Sequence, residues 1–164
     1  MLLPLIAVAC YLFGALGLGL SAYRADAHHG RGRRIAAFAI ASIGILIHAA
    51  ALVDERRLDP YAVLSLGDTL ALVALVIAIT AVVMAVQPRR RGIAALLLGI
   101  AAVLEAAFSE GAREFSVGRP GWELAFHVAM ATTAFALLTI GAALAMAQVV
   151  VDRRLRSRKP LGWL

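Results

Sequence analysis

The run IAAFAIASIGILIHAAALV, residues 35–53, decides the fold class. It carries no Lys, Arg, Asp or Glu and only one histidine over nineteen residues. At 1.5 Å per residue a helix of that length spans about 28 Å, close to the ~30 Å hydrocarbon core of a bilayer. Four other runs have the same character: Leu2 to Ala22, Tyr61 to Val86, Gly92 to Phe108 and Trp122 to Val151. The composition agrees with them. The 164 residues are 62% hydrophobic and 16% charged, with a mean hydropathy of +0.87, whereas a soluble domain is about half apolar and a quarter charged. The expected architecture is all-α: one polytopic transmembrane bundle of about five helices, residues 1–164, with hydrocarbon as its main solvent. Its apolar residues are mostly Ala, Leu, Val and Ile, which suits closely packed bilayer helices.

Charge sets the expected orientation. The connection before residue 35 carries Arg24, Arg31, Arg33 and Arg34, the third connection carries Arg89, Arg90 and Arg91, and the tail carries Arg153, Arg154, Arg156, Arg158 and Lys159. These are twelve of the sixteen cations; the second and fourth connections hold only Arg56, Arg57, Arg113 and Arg119, interleaved with acidic residues. The positive-inside rule then places the amino terminus outside and the carboxyl terminus in the cytoplasm of a bacterial inner membrane. A formal net charge of +6 does not signal nucleic-acid binding, because the cations sit in short blocks between apolar runs and not on one patterned face. The single cysteine, Cys10, cannot form an internal disulfide and belongs to no CxxC pattern. No phosphate-binding glycine loop, HExxH zinc helix or nucleophile elbow occurs, so the chain is not expected to be an enzyme by itself.

Four ionisable side chains fall inside the apolar runs: His48, Asp68, Glu105 and His127. Such residues are costly in lipid, normally face a bundle interior and are functional candidates by default. Counting along each helix from its outer end places His48 and His127 about 7 Å deep, Asp68 roughly 10 Å and Glu105 roughly 5 Å. Ala37, Ala41 and Gly44 share a helical stripe with His48; Ala131, Ala134 and Gly141 share one with His127. Small residues below an imidazole leave room for a flat macrocycle, so axial ligation of haem iron by His48 and His127 is one reading. A proton or ion relay through the histidines and carboxylates is a second, and buried interhelical hydrogen bonding between closely packed helices a third. His28 and His29 read as solvated loop residues. Trp122 reads as an interfacial anchor, or as a ring flanking a porphyrin near His127.

The ordered set His48-Ala49-Ala50-Ala51-Leu52, Leu64-Ser65-Leu66-Gly67-Asp68, Trp122 with His127-Val128, and Gln148-Val149-Val150-Val151-Asp152-Arg153-Arg154-Leu155 resembles the cytochrome c assembly membrane proteins. Within them it is most similar to the CcsA/HemX branch with its YpjD-like members. The resemblance runs from His48 onward and rests on order and spacing more than on any one motif. It implies an inner-membrane protein that binds non-covalent b-type haem and works in haem delivery or the upkeep of haem and cytochrome biogenesis, beside cytochrome c maturation components. His48 and His127 are the matching ligand positions, Trp122 a flanking ring, and Asp68 and Glu105 a possible outer shell. The tryptophan-rich WWD segment of the synthetases is absent, and the family usually continues for several more helices. The resemblance therefore implies the amino-terminal portion of a larger bundle, one that retains or relays haem. A transporter-like proton relay, or a regulatory protein recruiting a cytoplasmic partner through its basic segments, are the competing functions.

Overall fold

The computed structural model describes residues 2–23, 30–58, 66–108 and 122–156. The described chain contains no strand and forms five α-helices: α1 (Leu2–Tyr23), α2 (Gly30–Leu58), α3 (Leu66–Ala85), α4 (Arg91–Phe108) and α5 (Trp122–Arg156). The break between α3 and α4 has a local cause. Pro88 lacks an amide hydrogen and pushes its predecessor out of the helical region, and Gln87 is extended at φ −84°, ψ 122° before a single 3-10 turn over Pro88–Arg90.

Four of these helices are long and apolar enough to cross a membrane, over Leu2–Ala22, Arg31–Asp54, Gly67–Ala85 and Phe126–Arg153. The fifth, α4, has 18 residues and a length of about 27 Å. Helix α2 runs well past the expected 35–53 at both ends, and α5 continues to Arg156 beyond the expected Val151. Apolarity marks only the part of a helix suited to hydrocarbon; Arg, Ala, Glu and Leu are good helix formers and carry the backbone ladder onward. Residues 61–65, expected to open the third helix, lie outside the described residues, as do His28, His29 and the final residues from 157.

Helices α1 to α4 close a ring in which α1 packs on α2 and α4, and α3 packs on α4 and α2; α5 lies outside it against α3 and α4. Helices α1 and α2 each bury one stripe at alternating spacings of three and four. On α1 the stripe is Ala7, Tyr11, Gly14 and Leu18; on α2 it is Ala37, Ala41, Gly44, His48 and Ala51. On α4 the buried face is wider and takes in Ala94, Leu97, Leu98, Ala101, Ala102 and Glu105. Glycine brings α1 and α2 together. A Cβ placed on Gly17 would lie 2.6 Å from the Ala37 Cβ, one on Gly14 2.9 Å from the Ala41 Cβ, and one on Gly44 2.8 Å from the Cys10 Cβ. The backbones approach as closely as small residues allow.

Outside these stripes the surface is apolar: Phe13, Leu16, Leu46, Val83, Val103 and Phe135 are all more than 60% exposed. Three hydroxyls are satisfied within their own helix, whereas the buried Thr132 hydroxyl of α5 has no hydrogen-bond partner among the described residues. Thr80 donates to the Val76 carbonyl at 2.9 Å, and Thr133 and Thr139 donate to the Ala129 and Phe135 carbonyls at 2.8 Å. This is how a polar side chain is tolerated where water is absent.

Candidate functional site

His48 occupies the place on the α2 stripe where α1 and α4 both reach it. The Tyr11 hydroxyl of α1 lies 3.0 Å from His48 Nδ1. On the opposite side of the ring, Glu105 Oε2 of α4 lies 3.0 Å from His48 Nε2. The imidazole is fully buried and Glu105 is 4% exposed. The Nε2–Oε2 contact lacks the alignment of a straight hydrogen bond, and neither atom has another polar partner among the described residues. The Tyr11 hydroxyl donates to Nδ1 or accepts its proton according to the ring tautomer.

Three local features build this arrangement. Gly44, one turn before His48, carries no Cβ, so the Tyr11 ring lies against it; a Cβ there would meet Tyr11 Cδ1 and Cε1 at 3.1 Å. The Tyr11 and His48 rings then sit tilted at 52° with centroids 5.9 Å apart. Depth is the third feature. His48 lies fourteen residues beyond Arg34 and Glu105 fourteen beyond Arg91, so on two helices running the same way both rise about 21 Å from the arginine end.

The structure brings together His48 and Glu105 of the sequence candidates and adds Tyr11, which composition and charge did not single out. The signal for Tyr11 was available in the seam Ala7, Tyr11, Gly14, Leu18, whose spacing of four, three and four matches the α2 seam that carries His48. The space expected beneath His48 is not open: Ala37, Ala41 and Gly44 are covered by Gly17, Gly14 and the Cys10-Tyr11 pair of α1. Cys10 serves there as a small, half-buried packing group.

His127 is placed differently. Helix α5 buries Thr132, Ala136 and Ala143 against the bundle, and His127, nine residues before Ala136, lies about half a turn out of phase with that stripe. It is exposed and makes no polar contact with any described residue. Its stripe is open as well: Ala134 and Gly141 are exposed, and nothing lies within 4 Å of a Cβ built on Gly141. Phe126 and Met130 flank the imidazole and are 63% and 57% exposed. Trp122 opens α5 and is 78% exposed. Asp68 is half-buried in the first turn of α3, where a carboxylate suits the positive end of the helix dipole. Among the described residues no three His, Cys, Asp or Glu side chains converge on a metal position.

The two histidines therefore present different chemistry to a haem. His48 has both ring nitrogens engaged and no exposed surface, so it does not fit an axial ligand while those contacts hold. His127 fits one: its imidazole is accessible, has no polar partner among the described residues and is set among apolar groups. No family model matches the chain, and no curated protein or solved structure matches it.

Proposed function

We propose that this chain is an integral protein of the bacterial inner membrane, with five spans, its amino terminus outside and its carboxyl terminus in the cytoplasm, and that it handles b-type haem in the manner of the cytochrome c assembly proteins. The observation that carries this reading is the exposed His127, without a polar partner among the described residues, on a helix apolar enough to span a bilayer. An imidazole facing hydrocarbon alone is unfavourable, and such residues mark a ligand or partner. The ordered motifs from His48 to Leu155, and their resemblance to the assembly family, point to the same ligand. The bound group would supply an iron with an open axial position and a flat apolar face. His127 would hold the iron, Phe126, Met130 and Ala131 would line the macrocycle, and Trp122 would anchor the end of α5 at the interface. No catalytic residue is assigned. Cytochrome c maturation components are the expected partners.

Within this reading Tyr11, His48 and Glu105 hold α1, α2 and α4 in one arrangement, and α5 presents His127 from that frame. The test is the oxidised and reduced visible spectrum of the detergent-purified chain expressed with haem supply. A Soret band with reduced α and β bands is expected in the wild type. His127→Ala is expected to remove it, while Trp122→Ala weakens haem retention. A folded but colourless wild type that takes up no added haem would end the proposal, and a spectrum lost only in His48→Ala would move the ligand to the buried site.

A second reading has its own observation. The Tyr11 hydroxyl, the His48 ring and the Glu105 carboxyl follow one another across three helices with 3.0 Å at each step, the kind of groups a proton relay would use. It predicts proton flux into proteoliposomes that vanishes in Glu105→Gln and is indifferent to His127→Ala.

A further inference from the structure

Helix α5 meets the bundle along Thr132, Ala136 and Ala143 and leaves its opposite side uncovered. At about 100° per residue, His127, Ala134, Gly141, Ala145 and Gln148 fall on that opposite side within roughly a quarter of a turn. All of them are exposed. The interval of seven from 127 through 134 and 141 to 148 keeps one face turned to a neighbouring helix in a left-handed pair.

The polar groups of α5 single out the same line. Between Glu123 and Asp152 the helix carries no charged residue, and its polar side chains are His127, Thr132, Thr133, Thr139 and Gln148. Thr132 faces the bundle, and Thr133 and Thr139 donate to their own helix. His127 and Gln148 remain, neither with a polar partner among the described residues, and both lie on the uncovered line. Hydrocarbon satisfies neither of them. Between them stand Ala134, Gly141 and Ala145, with nothing within 4 Å of a Cβ built on Gly141. Alanine and glycine are also what closes α1 onto α2 in this fold.

Symmetry selects what covers such a line. Two copies inserted the same way in one bilayer, related by a two-fold axis along the membrane normal, bring each of these residues against its own counterpart at equal depth. That arrangement suits only self-complementary groups. An amide both donates and accepts, so Gln148 pairs with the partner copy's Gln148; alanine and glycine pack on themselves; two imidazoles ligate one metal ion from opposite sides. Haem iron held by histidine on both faces needs a second imidazole. His48 is enclosed by Tyr11 and Glu105, and Met130, a turn along the same helix, lies on the same side as His127. Building on the haem reading, we infer that two copies of this chain pair in parallel through this line of α5 and share one haem, with His127 of each copy as its axial ligands.

The test uses the full chain. Single cysteines would be introduced in a Cys10→Ser background and oxidised in native membranes. Ala134→Cys, Gly141→Cys and Ala145→Cys are expected to give disulfide-linked dimers. Phe135→Cys and Met146→Cys, exposed but about a third of a turn away, are expected to give none. Native mass spectrometry and haem extraction are expected to find one haem for two chains. Gly141→Leu is expected to leave a helical monomer without haem, and His127→Ala to lose haem while keeping the disulfide pattern. Gln148→Ala is expected to weaken the dimer about threefold, the loss of one interhelical hydrogen bond in a membrane. A monomer with one haem per chain, lost in His127→Ala, would overturn the pairing and leave the haem reading standing, with lipid covering the line. A colourless protein that keeps the disulfide pattern would overturn the shared haem together with the haem reading. Equal disulfide yields at all the tested positions would show random collision in the bilayer and overturn the pairing as well.

Discussion

His48→Leu is expected to destabilise the protein by about 3–5 kcal/mol, the cost of removing one partner from a buried pair and leaving the other uncompensated. The physical source is Glu105. Its Oε2 atom is buried, faces His48 Nε2 at 3.0 Å and has no other partner among the described residues. Glu105→Leu removes the opposite member and leaves the imidazole still bonded to Tyr11, so its cost is expected to be smaller. The double variant His48→Leu/Glu105→Leu is expected to be more stable than His48→Leu alone, because an apolar pair of similar volume carries no desolvation debt. Tyr11→Phe belongs to a different scale. It deletes one hydroxyl from a neutral hydrogen bond, and such bonds between membrane helices average about 0.6 kcal/mol, with a maximum near 1.7. Reversible unfolding in mixed micelles would measure all four. A His48→Leu protein within about 0.5 kcal/mol of wild type, the range of an ordinary surface change, would show that the cluster does not hold the bundle.

Gly17→Ala is expected to cost about 1–3 kcal/mol by overpacking, although alanine is the better helix former by about 0.8–1.0 kcal/mol. Packing wins because the new methyl would sit 2.6 Å from the Ala37 Cβ, which is fixed to its backbone and has no rotamer to escape into. Relief requires the α1 and α2 backbones to separate. Gly44→Ala meets the Cys10 Cβ at 2.8 Å and the Tyr11 ring at 3.1 Å, so it also pushes the hydroxyl away from His48. Its cost is expected to be non-additive with Tyr11→Phe, since residues in contact couple. Gly99→Ala and Gly141→Ala, with nothing within 4 Å of the new Cβ, are expected to be neutral or stabilising. Equal effects at all four positions would mean that helix propensity, and not the α1–α2 contact, controls stability here.

These effects bear on function through α5. The ring of α1 to α4 is tightly packed, whereas α5 rests on it through the stripe of Thr132, Ala136 and Ala143. A substitution at Gly17 or His48 therefore acts on the frame, and one at His127 acts on the outer face. Haem spectra and unfolding midpoints measured on the same variants separate the two.

Much of this was legible along the chain. The apolar runs announced the helices because hydrocarbon-length stretches without charge have few other ways to satisfy their backbone. His48 and Glu105 stood out as ionisable groups within such runs, and the spacing of Ala37, Ala41 and Gly44 already marked the face of α2 that carries His48. The distribution of charges also pointed to which helix ends share a side. Tertiary structure decided the partners. Periodicity states which face of a helix is buried but not which neighbour covers it, so the space beneath His48 read as open until Gly14 and Gly17 of α1 were found filling it. Equal depth put His48 and His127 at one level, yet depth carries no lateral information, and the phase of Ala136 turned His127 outward. Tyr11 was silent for the same reason: a tyrosine near the start of an apolar helix is unremarkable until Gly44, thirty-three residues away in the chain, makes room for its ring and so delivers its hydroxyl to an imidazole.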